Sequence, residues 1–540
     1  MNEFYKIAVS NISKRGDTDI FPFPIENALF YDKPAEVENI LLEMDKNYDS
    51  LIRTAAVDSI KTSIPVGYTG FRWATMIDPV WNAFLLAEVL KISGLIEKKR
   101  IPVEENCVFS YRIKYDEESG TLFDREVNWK AFYQNAGKIA ADYKFIITFD
   151  IADFYNRIYH ERLREVLITD IGADGKTVER IMGIVSRIAN GNETSGLPIG
   201  GNASRILAEA LLTRADSFMK ENGMKFCRFV DDYIVFADSK TAAYNILNRC
   251  ADYFQRSLGL SLQKNKTAIM SLFEFRRHVK MVFDEIGGDK DADRTSIMKL
   301  NINLDPYSAT ADEALRDIKD HVDSYGIIRL LKSECRKTKI NQMFGKQLVQ
   351  VIKYMDEKDI SEAFEVLSIN FEKLYPVFPV IMRTAYRNLL KCNDATIQNF
   401  ISKVSELVDT NSYLIQTGNN ASYAIRVLSL VQNELTEQTI RNIYERSLPD
   451  GKDPSELIRM NAIYAMTNLG NSGWMSSRLD EFPHPSSWER RAVIASAAFL
   501  SNKGNKWNET VRNNCFSLEK LLADWAAEKI AEKPNWRLPL

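Results

Sequence analysis

The chain has 540 residues, 45% of them hydrophobic and 26% charged, with a formal net charge of −3. That length supports more than one buried core and about three domains, while the near-neutral balance excludes whole-surface attraction to nucleic acid, so any such binding must come from local patches. Six cysteines at 107, 227, 250, 335, 392 and 515 form no Cys-x-x-Cys pair, which argues against a disulfide framework or structural zinc. No run of roughly 18 apolar residues appears, and Met1-Asn2-Glu3-Phe4-Tyr5-Lys6 lacks a signal-peptide pattern, so a soluble, cytoplasmic protein without a membrane span is expected.

Asp78-Pro79 reads as a helix start, with Asp as cap and Pro at the first position, and the stripe Phe84, Leu85, Val89 and Leu90 continues it. Val108 to Tyr115, the turn-rich Asp116 to Gly120, and Thr121-Leu122-Phe123 read as a β-hairpin. Arg112 and Lys114 lie two residues apart on its first strand, hence on one face. A solvated strand face is their plainer reading. Arg72, in Gly70-Phe71-Arg72-Trp73, is a weaker basic candidate.

Lys144-Phe145-Ile146-Ile147-Thr148-Phe149-Asp150 is an apolar strand ending in a carboxylate, followed by a turn and a helix-like stretch from Asn156 to Leu167. His160 is expected at the surface of that helix. Next comes Ser195-Gly196-Leu197-Pro198-Ile199-Gly200-Gly201-Asn202, a loop whose glycines let backbone approach a base pair closely. Asn202 would cap the amphipathic helix Ala203 to Met219.

Phe226-Cys227-Arg228-Phe229 and Tyr233-Ile234-Val235-Phe236 flank Val230-Asp231-Asp232, placing two adjacent carboxylates at a hairpin tip. Neighbouring strand residues face opposite ways, so two such charges near a core need a turn or a cation to satisfy them. An ordinary Asp-rich turn is one answer. The other is a metal: three carboxylates at the ends of strands, Asp150 with Asp231 and Asp232, supply the oxygen ligands that suit Mg²⁺ or Mn²⁺ in phosphoryl transfer. A helix from about Thr241 to Leu258 and the segment Gly259 to Thr267, with Lys264 and Lys266, complete this part of the chain.

In this order and spacing the segments resemble the fingers and palm of a reverse transcriptase over roughly residues 65 to 300. Asp150 matches the first catalytic aspartate and Asp231 with Asp232 the catalytic pair. The Gly196-Leu197-Pro198-Ile199-Gly200 run matches the template-facing loop, and Lys264 or Lys266 the lysine that follows. The resemblance implies two Mg²⁺ or Mn²⁺ ions held by Asp150, Ile151, Asp231 and Asp232. It also implies a deoxynucleoside triphosphate bound by Arg112, Lys114 and Lys264 or Lys266, with Asp153 near the sugar and Ile199 and Gly200 beside the base pair. Tyr155, five residues after Asp150, falls where the family has an aromatic gate against a 2′-hydroxyl; core packing on the first helical turn is its plainer reading.

Most retroviral and intron-encoded members have glutamine where this chain has Ile199. The Leu-Pro-Ile-Gly form, with Asn202-Ala203-Ser204-Arg205 and Asp150-Ile151-Ala152-Asp153-Phe154-Tyr155, is similar to the bacterial abortive-infection and defence-associated reverse transcriptases. That branch implies DNA synthesis that is template-independent or copies a noncoding RNA, in some members started on a tyrosine of the protein, in cells infected by phage. It also implies a closed homo-oligomer.

Arg276, Arg277 and Lys280 form one basic patch, and Arg329, Lys332, Arg336, Lys337, Lys339, Lys346 and Lys353 another where a thumb would follow. Solvated helix faces account for such runs equally well, but phosphate contacts would make binding fall steeply with salt. Asp284 to Asp293 reads as a loop. Helical periodicity then covers 311–332, 343–355, 359–371, 377–392, 394–408, 420–434, 436–447, 454–468, 486–501 and 508–530, consistent with a HEAT-like array. Its tyrosines at 307, 325, 354, 375, 386, 413, 423, 444 and 464 are candidates for core packing first, and no spacing singles out a primer.

The expected fold is α+β: N-terminal helices and fingers at 1–140, a right-hand polymerase palm at 141–305, thumb-like basic helices at 306–356 and an all-α, HEAT-like domain at 357–540. Two competing functions remain at this level. One is an RNA-templated enzyme of retron or intron type, against which stand the missing His- and Cys-rich endonuclease signature and basic maturase extension. The other is a non-catalytic RNA-binding scaffold, against which stand three mutually repelling carboxylates that a dead palm has no reason to keep.

Overall fold

The computed structural model describes residues 2–16, 18, 20–189, 194–284, 324–445, 455–482 and 486–540. Two compact units divide the chain: Met1–Asp19, Val37–Ser59 and Thr75–Asp284 form the first, and Ile20–Glu36, Ile60–Ala74 and Glu285–Leu540 the second. The N-terminal segment 1–140 is thus shared between them. Most of the loop expected at 284–293, together with Tyr307 and the side chain of Tyr325, lies outside the described residues.

Helices α1 (Asn2–Arg15), α2 (Glu26–Asp32) and α3 (Pro34–Thr54) precede a hairpin of β1 (Ser59–Val66) and β2 (Gly70–Ile77), and α4 (Pro79–Lys99) follows. Then come β3 (Ile113–Asp116), β4 (Thr121–Phe123), α5 (Trp129–Ile139), β5 (Phe145–Asp150), α6 (His160–Glu165) and α7 (Gly175–Ile188). The first unit ends with α8 (Asn202–Glu221), β6 (Phe226–Phe229), β7 (Asp232–Ala237), α9 (Lys240–Tyr253), β8 (Ala268–Ser271) and α10 (Leu272–Asp284).

The start of α4 is the one its sequence dictates. The Asp78 carboxylate accepts from the backbone N–H of Val80 at 3.1 Å and Trp81 at 3.3 Å, with Pro79 in the first turn, so donors that helix geometry leaves unpaired are satisfied. Among the described residues α4 is the one helix long and apolar enough to cross a membrane, although the sequence shows no uninterrupted apolar run, and 83% of its apolar window is buried inside the protein. It is a core helix, packed by α1, α7 and α8.

A four-stranded sheet of order β6-β7-β5-β8 centres the unit, and the three pairings are antiparallel. Alternation sorts its side chains. Ile146, Ile234, Phe236 and Cys227 join Phe109, Phe132, Ala136 and Phe275 in one core. On the opposite face Phe149 stacks on Tyr233 at 4.8 Å between ring centroids, and Phe254 meets Tyr233 edge-on at 5.4 Å.

The hairpin expected at 108–123 is shorter than the sequence suggests. Only Ile113–Asp116 and Thr121–Phe123 pair, while residues 107–109 attach instead to β6: Phe109 N–H donates to Arg228 O at 2.9 Å and Arg228 N–H to Cys107 O at 2.7 Å. The break falls at Tyr111, whose φ is 44°, a left-handed conformation that no regular strand tolerates.

Apart from its share of the β1–β2 hairpin, the second unit is helical in its described residues. Helix Phe378–Asn388 packs on Gly418–Leu428, which packs on Glu456–Asn468, then Ser487–Ala497, then Ser517–Glu532. A second series runs from Ser324–Arg336 through Glu357–Ile369 and Asp394–Asp409 to Glu434–Glu445. Each helix therefore rests on the next but one. Helix α2 is tied in by Arg491 Nε to Glu26 at 2.6 Å and Trp525 Nε1 to Asp32 at 2.8 Å. The β1–β2 turn is anchored as well, Tyr68 Oη donating to Lys373 O at 3.0 Å and accepting from Ile340 N–H at 2.9 Å.

Two helical expectations need correction. Ser472–Asp480 is a helix that periodicity missed, capped by the Asn471 side chain on Trp474 N–H. The stretch expected at 508–530 is two helices, Ser501–Val511 and Ser517–Glu532. The second begins where Phe516 N–H donates to the Glu519 carboxylate at 3.0 Å, a capping contact that restarts the helix after the Arg512–Asn514 turn.

Candidate active site

The tip between β6 and β7 is formed by Val230 and Asp231. Val230 has φ of 55°, and holding a β-branched residue there costs about 1–3 kcal/mol. Asp150 and Asp232 are direct partners in the β5–β7 register, so their carboxylates share one face at the ends of their strands. Asp231 O accepts from Ile151 N–H at 3.3 Å, and the segment 261–263 pins the same strand end: Gln263 N–H donates to Asp150 O, and Ala152 N–H to Ser261 O, each at 2.8 Å.

Crowded carboxylates raise each other's proton affinity. Burial, then the charges of Asp231 and Asp150, push the Asp232 carboxyl up to about 7. Lys266 Nζ bonds Asp150 Oδ2 at 2.6 Å; burial works to lower this ammonium, but Asp150, Asp232 and Asp231 together raise it. Tyr133, on α5, is pushed up to about 12 by burial and by Asp232. Among the described residues no three Asp, Glu, His or Cys side chains stand arranged to enclose a metal ion. The donor set is nonetheless all oxygen, with Ile151 able to offer only its backbone carbonyl. That chemistry fits a hard divalent cation, whose charge would relieve the strain on Asp232.

Tyr155 is half-buried, and its carbonyl accepts from Leu197 N–H at 2.9 Å. Burial, then Tyr111 and Asp231, hold its hydroxyl well above the ordinary value against the opposing Arg205. Position 155 is therefore tied to the glycine loop and lies within electrostatic reach of Asp231. In that loop Gly196 and Gly200 have φ of 104° and 127°, conformations essentially reserved for glycine. Half-buried Ile199 lies between buried Pro198 and Gly200. Asp153 is exposed with φ of 49° and makes a sharp turn; its side chain caps nothing.

Several expected roles change. Arg112 is buried, bonded to Glu97 Oε1 at 2.8 Å and to the carbonyls of Ile101 and Val108. It does not share the exposed face of Lys114, and β3 begins only after it, at Ile113. Lys114 is exposed and paired with Asp124 at 3.2 Å. Lys264 is exposed on its turn, and the contact to Asp150 falls to Lys266. Arg72 is exposed on β2.

His160 is 7% exposed rather than a surface residue. Its Nε2 meets Gly196 O at 2.8 Å, while its backbone N–H donates to Thr194 O at 3.0 Å, so it anchors the glycine loop. Asn202 is not the cap of α8; Gly201 occupies that position. Asn202 instead donates to Asn11 Oδ1 and accepts from Arg205, both at 2.9 Å.

The largest feature missed from sequence is a buried charge cluster beneath the hairpin. Arg228, fully buried, spans Asp216 Oδ1 and Oδ2 at 2.8 and 2.6 Å, Glu209 Oε2 at 2.9 Å and Val230 O at 3.0 Å. Glu209 also accepts from Arg100 at 2.7 Å and from Ser110 Oγ. Burial alone would raise the Glu209 carboxyl, but Arg228 and Arg100 hold it below its ordinary range. On α10, Arg276, Arg277 and Lys280 are exposed; in the second unit Arg329, Arg336, Lys339 and Lys353 are exposed, and Lys332 pairs with Glu362 at 2.6 Å.

Residues 112–300 match the family model described as reverse transcriptase (RNA-dependent DNA polymerase). Among solved structures the chain is similar to apo telomerase from Candida tropicalis, at a TM-score of 0.28 and 10% identity over 74% of this chain and 72% of that one. It is also similar to telomerase from Candida albicans in complex with the TWJ fragment of telomeric RNA, at a TM-score of 0.28 and 12% identity over 68% and 66% of the two chains. No curated protein matches. The chain carries a reverse transcriptase domain and is a DNA nucleotidyltransferase.

Proposed function

We propose that this protein is a metal-dependent DNA polymerase of the abortive-infection and defence-associated type, adding deoxynucleotides either without a template or by copying a noncoding RNA. The observation that carries the polymerase reading is the register pairing of Asp150 with Asp232, with Asp231 at the adjoining tip and Lys266 on Asp150. Asp150, Asp231 and Asp232, with the Ile151 carbonyl, would hold two Mg²⁺ or Mn²⁺ ions. When bound, such ions activate the attacking hydroxyl and stabilise the pyrophosphate leaving group. Lys266 offsets triphosphate charge, whereas the Arg112 guanidinium is committed to Glu97 and the Ile101 carbonyl.

The assignment to antiphage defence rests on the Leu197-Pro198-Ile199-Gly200 and Asp150 to Tyr155 forms, in which no glutamine stands beside the base pair. The next-but-one packing of C-terminal helices supports a HEAT-like helical array. Cytoplasmic location and a homo-oligomeric state belong to the same reading. If DNA starts on the protein itself, burial narrows the choice of primer. Tyr464, Tyr423, Tyr375 and Tyr444 are buried, Tyr354 and Tyr386 half-buried, and Tyr413 is 51% exposed.

Purified protein with Mg²⁺ or Mn²⁺ and labelled deoxynucleotides, but no added template or primer, tests this directly. Label that enters a gel only after protease digestion marks protein-primed synthesis. Label that requires co-purified RNA marks a templated enzyme, and no incorporation with RNA restored overturns the polymerase reading in favour of a scaffold. The same assay tests the gate. Tyr155→Ala opens space where a 2′-hydroxyl would sit, so ribonucleotide incorporation should rise by roughly tenfold or more relative to deoxynucleotide, a change of at least about 1.4 kcal/mol in discrimination. An unchanged ratio would return Tyr155 to a packing role.

A further inference from the structure

Tyr111 and Val230 share an unusual property: both are non-glycine residues with left-handed φ, 44° and 55°. Each also has its carbonyl held by a buried guanidinium, Tyr111 O by Arg100 at 2.9 Å and Val230 O by Arg228 at 3.0 Å. A single carboxylate joins the two arginines, Glu209 accepting from Arg100 at 2.7 Å and from Arg228 at 2.9 Å. We propose that this Arg100–Glu209–Arg228 bridge is the positioning element of the site, fixing Val230 beneath the paired aspartates and Tyr111 beside the Tyr155 gate.

The proposal rests on the polymerase reading and extends it to residues that touch neither substrate nor metal. Left-handed backbone at a valine or tyrosine persists only where surrounding bonds over-determine it. At Val230 the bond is one of six that the Arg228 side chain makes; the other five go to Asp216, Glu209 and Ser110. At Tyr111, Arg100 also holds the preceding carbonyl of Ser110 at 2.6 Å. Tyr111 in turn packs on Phe229 at 6.4 Å between centroids and lies under the Arg205 guanidinium at 5.3 Å. Two loops distant in sequence are thereby set by one side chain of α8, the helix that begins where the glycine loop ends.

Charge balance explains why so many ions are tolerated in the interior. Arg100, Arg112 and Arg228 face Glu97, Glu209 and Asp216, three of each sign. Removing one member leaves a buried charge uncompensated, whereas the intact set specifies one geometry. Bonds of this outer kind orient the groups that bind a metal, and losing one typically lowers metal affinity or activity about 10–100-fold.

The test uses the full chain carrying Glu209→Gln, with Leu211→Ala as a control. Leu211 is a fully buried residue of the same helix whose truncation lowers stability without touching the bridge. Mn²⁺ uptake is followed by electron paramagnetic resonance, independently of catalysis, and the deoxy-to-ribo incorporation ratio by gel. Glu209→Gln should raise the half-saturating Mn²⁺ concentration and narrow the deoxy preference, each by about tenfold. Leu211→Ala should leave both unchanged at a comparable loss of thermal midpoint. Equal effects from the two variants, or none from Glu209→Gln, overturn the proposal. If Glu209→Gln does not fold, Ser110→Ala, which removes one bond to the same carboxylate, should shift Mn²⁺ uptake in the same direction by a smaller factor; no shift overturns it. Wild-type protein that takes up Mn²⁺ but incorporates no nucleotide contradicts the polymerase reading, and the Mn²⁺ arm still decides the positioning role.

Discussion

Asp150→Asn and Asp231→Asn should each slow deoxynucleotide addition by at least about 10³-fold, with far-ultraviolet circular dichroism unchanged. The size of the effect follows from where the charges sit. Asp150 closes β5, Asp231 forms the tip of the β6–β7 hairpin, and the Asp231 carbonyl accepts from Ile151 N–H at 3.3 Å. An amide in either place keeps the volume and most of the backbone bonding while removing a formal charge from the site where pyrophosphate must be released. Transition-state charge then goes uncompensated, and at 1.36 kcal/mol per tenfold, 10³ corresponds to about 4 kcal/mol. A palm retained only as an RNA-binding scaffold predicts the opposite pattern, with biological activity surviving both substitutions. Full retention of polymerisation by either variant would remove that carboxylate from the catalytic set.

The parts of this site legible in the sequence are those encoded by local pattern. The apolar runs Phe226 to Phe229 and Tyr233 to Phe236, with two aspartates between them, mark both the hairpin and its acidic tip. The strand ending at Asp150 and the cap at Asp78 were readable for the same reason: nearest-neighbour geometry decides them. What stayed hidden depends on residues far apart in the chain. Arg112 and Lys114 have the spacing of one strand face, but Arg112 is drawn inside by Glu97 and the Ile101 carbonyl, and nothing in Ser110-Tyr111-Arg112 announces it. His160 looks like a polar helix residue until Gly196, thirty-six positions away, supplies its partner. The buried bridge did leave a trace. Arg228 is a charge inside an otherwise apolar strand, and Glu209 and Asp216 lie seven residues apart on the apolar face of a helix carrying Ile206, Leu207 and Leu211. Buried ions of opposite sign on sequential elements are a pairing that such patterns can indicate.

Without divalent cations, stability of the first unit should fall as pH rises from 6 to 8, and Asp232→Asn should abolish most of that fall. The sign follows from linkage. The Asp232 carboxyl is pushed up to about 7 in the folded protein, against about 3.9 in an unfolded chain. Between those values the folded state binds the extra proton, so its advantage is greatest at low pH and is lost as pH climbs through the folded value. The proton belongs to the Asp150–Asp231–Asp232 cluster as a whole, since the three charges titrate together. Across pH 6 to 8 the contribution is on the order of 1 kcal/mol. Mg²⁺ or Mn²⁺ competes for the same oxygens and binds the deprotonated cluster, so it should stabilise the wild type more at pH 8 than at pH 6. Thermal unfolding of wild type and Asp232→Asn at both pH values, each with chelator and with excess Mg²⁺, resolves the matter. The variant should be the more stable protein at pH 8 in chelator, while losing polymerase activity and the Mg²⁺ increment. Identical pH slopes for the two proteins in chelator would show that the three carboxylates do not repel one another strongly enough to need a cation, and the two-ion reading of this site would fall with that result.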